Sequence, residues 1–197
     1  MARHSVSSPF LPARMPAVRL AVLVPNLLSL SRVALGLAFP WAPPRARVGL
    51  IVAAALTDLL DGLVCRWWHV ATPLGRILDP VADKVFVLLV LLTFWCEGTL
   101  HAAEAALVGL RDLAVLAGVG WLVLRGNWSA LHSLPPSLPG KLATGAQFVF
   151  LLSLALWRQP VLVVFLPTVL LSGLAAADYL HAFLANTTPT TRRDAPP

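Results

Sequence analysis

Long apolar runs fill most of this chain, and they limit the folds that it can adopt. A helix needs about 20 residues to cross the hydrocarbon core, and every backbone polar group inside must be hydrogen-bonded within the structure. The runs therefore predict an all-α integral membrane protein with six transmembrane helices. Their expected bounds are 25–42, 46–66, 79–96, 102–124, 138–157 and 160–184.

The composition agrees with a chain that lies mostly in a membrane. Hydrophobic residues make up 58% of it and charged residues 12%, whereas about a quarter of a typical soluble domain is charged. The length of 197 residues leaves room for one domain. We expect a membrane domain at 17–185 between a flexible tail, residues 1–16, and a disordered polar tail, residues 186–197.

The net charge of +6 is spread along the chain and predicts an orientation. The basic residues stand singly between apolar runs, so they build no face that would bind nucleic acid. Arg45, Arg47 and Arg158 fall on one side of the predicted membrane. The basic residues of the other side are Arg3, Arg14, Arg19, Arg66, Arg76, Arg125, Lys141, Arg192 and Arg193. This bias predicts that both termini are cytoplasmic, and a bacterial inner membrane is the default expectation for so short a chain.

Four aspartates stand close together in and beside two predicted spans. The chain has nine acidic residues, and these four are Asp58, Asp61, Asp79 and Asp83. The spacings of three and four residues place each pair on one helix face. Each carboxylate costs about 2.5–3.5 kcal/mol inside a membrane, so cations must offset their charge. Oxygen ligands of this kind suit Mg²⁺ or Mn²⁺, which also bind phosphate.

Two other interpretations of the aspartates stay open at this point. The carboxylates can pair with Arg66, Arg76 and Lys84 as buried ion pairs, or they can relay ions in a transporter. Gly62 and Gly75 favour phosphate chemistry, because a residue without a side chain lets a bulky diphosphate approach the backbone.

The aspartates belong to a longer motif with fixed gaps. It reads Asp58-x-x-Asp61-Gly62-x-x-Cys65-Arg66, then eight residues, then Gly75-x-x-x-Asp79-x-x-x-Asp83. This string resembles the signature of the CDP-alcohol phosphatidyltransferase family, which usually has Ala at the position of Cys65. The resemblance covers residues 25–180 and includes the strings Pro25–Arg32, Leu78–Lys84 and Gly140–Gln147.

The resemblance implies a fold, two metal ions and a role for each matching residue. Members of this family have six helices, are often homodimers and form no covalent intermediate. The implied ligands of two Mg²⁺ or Mn²⁺ ions are Asp58, Asp61, Asp79 and Asp83, with Asp83 also the general base. The implied contacts to the CDP group are Gly62, Arg66, Gly75 and Asn26.

The resemblance also implies the substrates. The donor would be CDP-diacylglycerol, and a phosphate-bearing acceptor would contact the cations Arg111 and Lys141. The Leu78–Lys84 string and Gly140-Lys141 resemble those of members that use glycerol 3-phosphate. Those members usually have Arg-Glu where this chain has Arg111-Asp112. Arg-Asp resembles members that use phosphatidylglycerol, and an inositol phosphate is a third option. Arg111 could instead pair with Asp112, and Lys141 could reach to the membrane interface.

Proteins of two other classes could use similar residues. Membrane prenyltransferases hold a diphosphate with Mg²⁺ between two aspartate clusters, but those clusters normally lie far apart in the chain. A non-catalytic lipid transporter would not need an intact metal site. All four aspartates are present in one compact array, which favours a phosphatidyltransferase.

Overall fold

The computed structural model describes residues 16–68, 73–126 and 138–187. Within these ranges, the description leaves out the side chains of residues 16–22, 25, 61, 62, 64–68, 73–77 and 182–187. The predicted tails, residues 1–16 and 186–197, lie almost entirely outside the described residues.

The described residues form six α-helices and one 3₁₀ turn, so the predicted all-α fold with six helices is confirmed. The helices are α1 (Pro16–Ala38), α2 (Pro44–Trp68), α3 (Pro73–Cys96), α4 (Ala102–Leu124), α5 (Leu138–Trp157) and α6 (Leu162–Thr187). A 3₁₀ turn at Phe39–Trp41 joins α1 to α2. On length and composition alone, α4, α5 and residues 162–181 of α6 could each cross a membrane. The helices α1, α2 and α3 contain 23, 25 and 24 residues.

Two helices begin earlier than the apolar runs predict. α1 begins at Pro16 instead of residue 25, and α3 begins at Pro73 instead of residue 79. Proline suits the first helical position because its missing N–H group would have no partner there. Only residues 69–72 therefore separate α2 from α3, whereas the predicted spans left residues 67–78 between them.

The helices pack around a core that is rich in phenylalanine. Phe39, Phe86, Phe94 and Phe150 are all fully buried, and the rings of Phe39 and Phe94 meet edge to face at 5.6 Å. Lipid tails are as apolar as the core, so close packing supplies much of the attraction between the helices. Gly36 permits such packing, because a Cβ atom there would lie 3.2 Å from the Cα atom of Phe86.

An ion pair ties the bundle together at the end opposite the aspartates. The buried guanidinium of Arg47 makes two hydrogen bonds to the Glu97 carboxylate, one of them 2.6 Å long. It also lies 5.3 Å and 5.7 Å from the ring centres of Phe39 and Phe94. Hydrogen bonding from Arg47 lowers the pKa of the Glu97 carboxyl. The contacts join the start of α2 to the turn that follows α3.

Candidate active site

Asp58 lies on α2 and contacts a cation that comes from α1. The buried Arg32 places its Nη1 atom 3.1 Å from Oδ1 of Asp58, whose side chain is 44% exposed. The carboxylate therefore has one side against a fixed positive charge and the other side accessible. This pair was not predicted, because Arg32 and Asp58 lie on different helices and no local sequence pattern relates them.

Asp79, near the start of α3, also contacts α1. The hydroxyl of the buried Ser29 donates a hydrogen bond to Oδ1 of Asp79. Ser29 and Arg32 are three residues apart, so one face of α1 holds one carboxylate from α2 and one from α3. Asn26, a predicted CDP contact, lies three residues before Ser29 and is partly exposed, which places it on the same side of α1.

Asp83 is buried one turn further along α3, where it contacts the same lysine as Asp112 on α4. The Nζ atom of Lys84 lies 2.9 Å from Oδ2 of Asp83 and 3.0 Å from Oδ1 of Asp112. It also donates a hydrogen bond of 3.2 Å to the Thr144 hydroxyl on α5. The ammonium group thus joins three helices. Asp83 therefore forms the buried ion pair with Lys84 that the alternative interpretation proposed. The cation close to Asp58 is Arg32, which that interpretation did not include.

Asp112 is fully buried, and its contacts with Lys84 and Gln147 were not predicted from the sequence. Gln147 on α5 donates to its carboxylate and, over 2.9 Å, to the Val108 carbonyl. The neighbouring Arg111 reaches it only at 3.9 Å and instead donates over 3.1 Å to the carbonyl of Gly140. The alternative of an Arg111–Asp112 pair is therefore present only as a long contact, and Lys84 is the cation closer to Asp112.

The two predicted acceptor-binding residues lie near each other but differ in exposure. Arg111 is 9% exposed, and its partner Gly140 directly precedes Lys141 at the start of α5. Lys141 is exposed, as expected for a side chain that reaches towards water. The contact to Gly140 thus brings the Arg111 guanidinium beside the backbone of Lys141.

For several predicted site residues, the structure describes the helix that carries them but not their side chains. Asp61, Gly62, Cys65 and Arg66 follow Asp58 on α2, and Gly75 is in the first turn of α3. Their assigned roles stay predictions. Asp61 follows Asp58 by three residues on a continuous helix, so the two positions share a face.

The described carboxylates do not by themselves complete a site for a divalent cation. Asp79 and Asp83 both lie close enough to Asp58 to interact with its charge. The buried Oδ1 atom of Asp83 accepts no hydrogen bond from any described residue, and an ionised carboxylate oxygen can only accept. Among the described side chains, which exclude Asp61, no three His, Cys, Asp or Glu residues form a group that could hold a metal ion. A metal would therefore need Asp61 or substrate oxygens as well.

The chain belongs to the CDP-alcohol phosphatidyltransferase family, because the sequence model of that family matches residues 22–176. It is therefore an enzyme, a membrane-bound phosphatidyltransferase of phospholipid biosynthesis, and the predicted family is confirmed.

Curated relatives carry the name CDP-diacylglycerol–glycerol-3-phosphate 3-phosphatidyltransferase. The relative from Pectobacterium atrosepticum is 38% identical over 145 residues, covering 68% of this chain and 77% of its own length. The relative from Sodalis glossinidius is 36% identical over 172 residues, which cover 82% of this chain and 87% of the relative. The relative from Escherichia coli K12 is 37% identical over 145 residues, which cover 68% of this chain and 77% of the relative. These names agree with the phosphatidylglycerophosphate synthase-like function that the sequence predicts.

Proposed function

We propose that this protein transfers a phosphatidyl group from CDP-diacylglycerol to glycerol 3-phosphate and releases CMP. One observation carries the proposal: Asp58 on α2 and Asp79 and Asp83 on α3 lie at one end of the bundle, close enough for their charges to interact. The names of the relatives support both substrates. The site end would face the cytoplasm of a bacterial inner membrane, where both termini would also lie.

The proposed metal ligands are Asp58, Asp61, Asp79 and Asp83, which would hold two Mg²⁺ or Mn²⁺ ions. When bound, such ions neutralise the diphosphate and polarise the phosphorus that is attacked. Arg32 and Ser29 orient the carboxylates of Asp58 and Asp79 from α1. Asn26, Gly62, Arg66 and Gly75 would contact the CDP group. These side chains would hold the donor in place without forming a bond to it.

In the proposed transfer, an acceptor hydroxyl attacks the phosphorus next to diacylglycerol. The new P–O bond forms as the bond to the CMP oxygen breaks, and CMP leaves with the electron pair. Asp83 would take the hydroxyl proton. Its Oδ2 atom is held by Lys84, whereas its Oδ1 atom accepts no hydrogen bond from the described residues. Oδ1 is therefore the atom available for the proton.

The proposed acceptor contacts are Arg111 and Lys141. A phosphate group bound between two cations would orient the free hydroxyl of glycerol 3-phosphate. A homodimer is the arrangement that the family resemblance supports, and cross-linking in native membranes would detect it.

The test is CMP release by the purified full-length protein from CDP-diacylglycerol. We expect release to require glycerol 3-phosphate and either Mg²⁺ or Mn²⁺, and to stop on addition of EDTA. Asp58→Asn should abolish release, whereas Asp178→Asn, which changes an exposed aspartate on α6, should leave it intact. Release that depends on phosphatidylglycerol instead would overturn the proposed acceptor. Release that is unaffected by EDTA would overturn the proposed metal requirement.

A further inference from the structure

A groove between α4 and α6 lies beside the site described above and shares Arg111 with it. Its volume is about 840 Å³, within the range of pockets that hold small molecules. Leu107, Leu110 and Val169 line one end, and Trp121 and Tyr179 line the other. Both walls are helices that cross the membrane, so the groove faces lipid.

Polar groups interrupt this apolar lining next to Leu110 and Val169. Arg111 and Ser172 both line the groove, and Ser172 is only 1% exposed. The Oγ atom of Ser172 and the Nε and Nη1 atoms of Arg111 are buried, and none has a hydrogen-bond partner among the described residues. Donors of this kind in an apolar environment cost free energy until an acceptor reaches them.

A groove lined by apolar side chains together with the donors of Arg111 and Ser172 favours an amphiphilic, anionic ligand. A hydrocarbon chain alone, or an apolar helix of a second copy, would fill the groove and leave those donors unsatisfied. A glycerophospholipid carries an apolar chain together with ester and phosphate oxygens, which accept hydrogen bonds. The positive charge of Arg111 favours a lipid with net negative charge.

We propose that the groove between α4 and α6 binds an anionic glycerophospholipid of the surrounding bilayer. One acyl chain lies along Leu107, Leu110 and Val169, and the oxygens of the lipid accept hydrogen bonds from Arg111 and Ser172. Trp121 and Tyr179 are residue types that favour the membrane interface, so they flank the headgroup end. This lipid is distinct from the donor, whose diphosphate belongs at the aspartates on α2 and α3.

Two glycines provide a matched pair of variants. A Cβ atom added at Gly173, which lines the groove, meets no atom within 4 Å, and the same is true at Gly120 on α4. The leucine side chain of Gly173→Leu therefore fills the groove, and its Cβ atom collides with no other atom. Gly120→Leu makes the same chemical change on a membrane-spanning helix at a position that is not among the groove residues.

The experiment counts lipids bound to the intact protein by native mass spectrometry. Delipidated full-length protein is titrated with dioleoyl phosphatidylserine, and with dioleoyl phosphatidylcholine as the zwitterionic comparison; neither is a proposed substrate or product. The native protein and Gly120→Leu should each bind one phosphatidylserine tightly. Gly173→Leu should bind that lipid at least about tenfold more weakly, with a melting temperature like that of Gly120→Leu.

A second set of variants leaves the groove open and removes its donors. Ser172→Ala and Arg111→Gln should each reduce the preference for phosphatidylserine, by about tenfold for Arg111→Gln, because a charge-assisted hydrogen bond is lost. Equal binding of the two lipids by the native protein would overturn the proposal, as would unchanged binding by Gly173→Leu. A Gly173→Leu variant that dissociates a dimer would show that the groove receives a second copy. No acceptor is present, so the outcome is independent of the proposed transfer reaction.

Discussion

Removal of the Lys84 charge should expose a repulsion between two buried carboxylates. Lys84→Met keeps the length of the side chain but removes the ammonium group that Asp83 and Asp112 share. Both carboxylate oxygens lie within 3.0 Å of that nitrogen, so they lie no more than about 6 Å apart. At this separation two unit charges repel by about 3 kcal/mol for an effective dielectric constant of about 20.

The expected loss of unfolding free energy for Lys84→Met is about 3–5 kcal/mol, as for other buried pairs that lose one partner. Asp112→Asn in the native protein should cost less, about 1–3 kcal/mol, because Lys84 keeps Asp83 as a partner. The decisive comparison is the double variant. Once Lys84 is Met, Asp112→Asn removes one of two repelling charges, so this second change should increase stability.

The assay is unfolding by SDS in mixed micelles, followed by circular dichroism, for all four proteins of the cycle. EDTA is present throughout, so that no metal ion offsets the Asp83 charge. We expect a change of sign: Asp112→Asn should destabilise the native protein and stabilise the Lys84→Met variant. If Asp112→Asn destabilises both backgrounds by the same amount, Lys84 does not couple the two carboxylates and the predicted bridge is refuted.

Three further predictions concern single residues. Asp83→Asn should keep the affinity for CDP-diacylglycerol and lower the turnover rate about 10²–10⁴-fold; full turnover would remove its role as the base. Cys65→Ala restores the usual family residue and should leave CMP release within about twofold, and a large loss would show that the position has another role. The lowered pKa of Glu97 stabilises the fold above the ordinary glutamate pKa, and this contribution is lost as the pH falls through the lowered value. Glu97→Gln should therefore flatten the melting temperature across that acidic range, and an unchanged acid profile would contradict the contribution of the pair with Arg47.

Local patterns in the sequence predicted the helices well, because each helix coincides with an apolar run. They misplaced the starts at Pro16 and Pro73, where proline extends a helix beyond its apolar part. The spacing of Asp79 and Asp83 on one helix also predicted a shared location, since residues four apart lie on one face.

The contacts that connect the helices could not be predicted in the same way. Arg32 reaches Asp58, and Lys84 reaches Asp112, across 26 and 28 positions of the sequence. Such pairs depend on how the helices rotate and pack against one another, which no local period specifies. A signal was nevertheless present, because a basic residue inside an apolar run needs a partner, and Arg32 and Lys84 are both of this kind.

The ion pairs between helices have an order that bears on how the chain enters the membrane. In three of them the basic residue comes first: Arg32 before Asp58, Arg47 before Glu97, and Lys84 before Asp112. In each case the acid lies on the next helix or in the turn that follows it. During synthesis, each cation therefore meets its acid as soon as the following helix is made. Two helices that insert together neutralise most of their charge before later segments emerge, which reduces the cost of placing arginine and lysine in lipid.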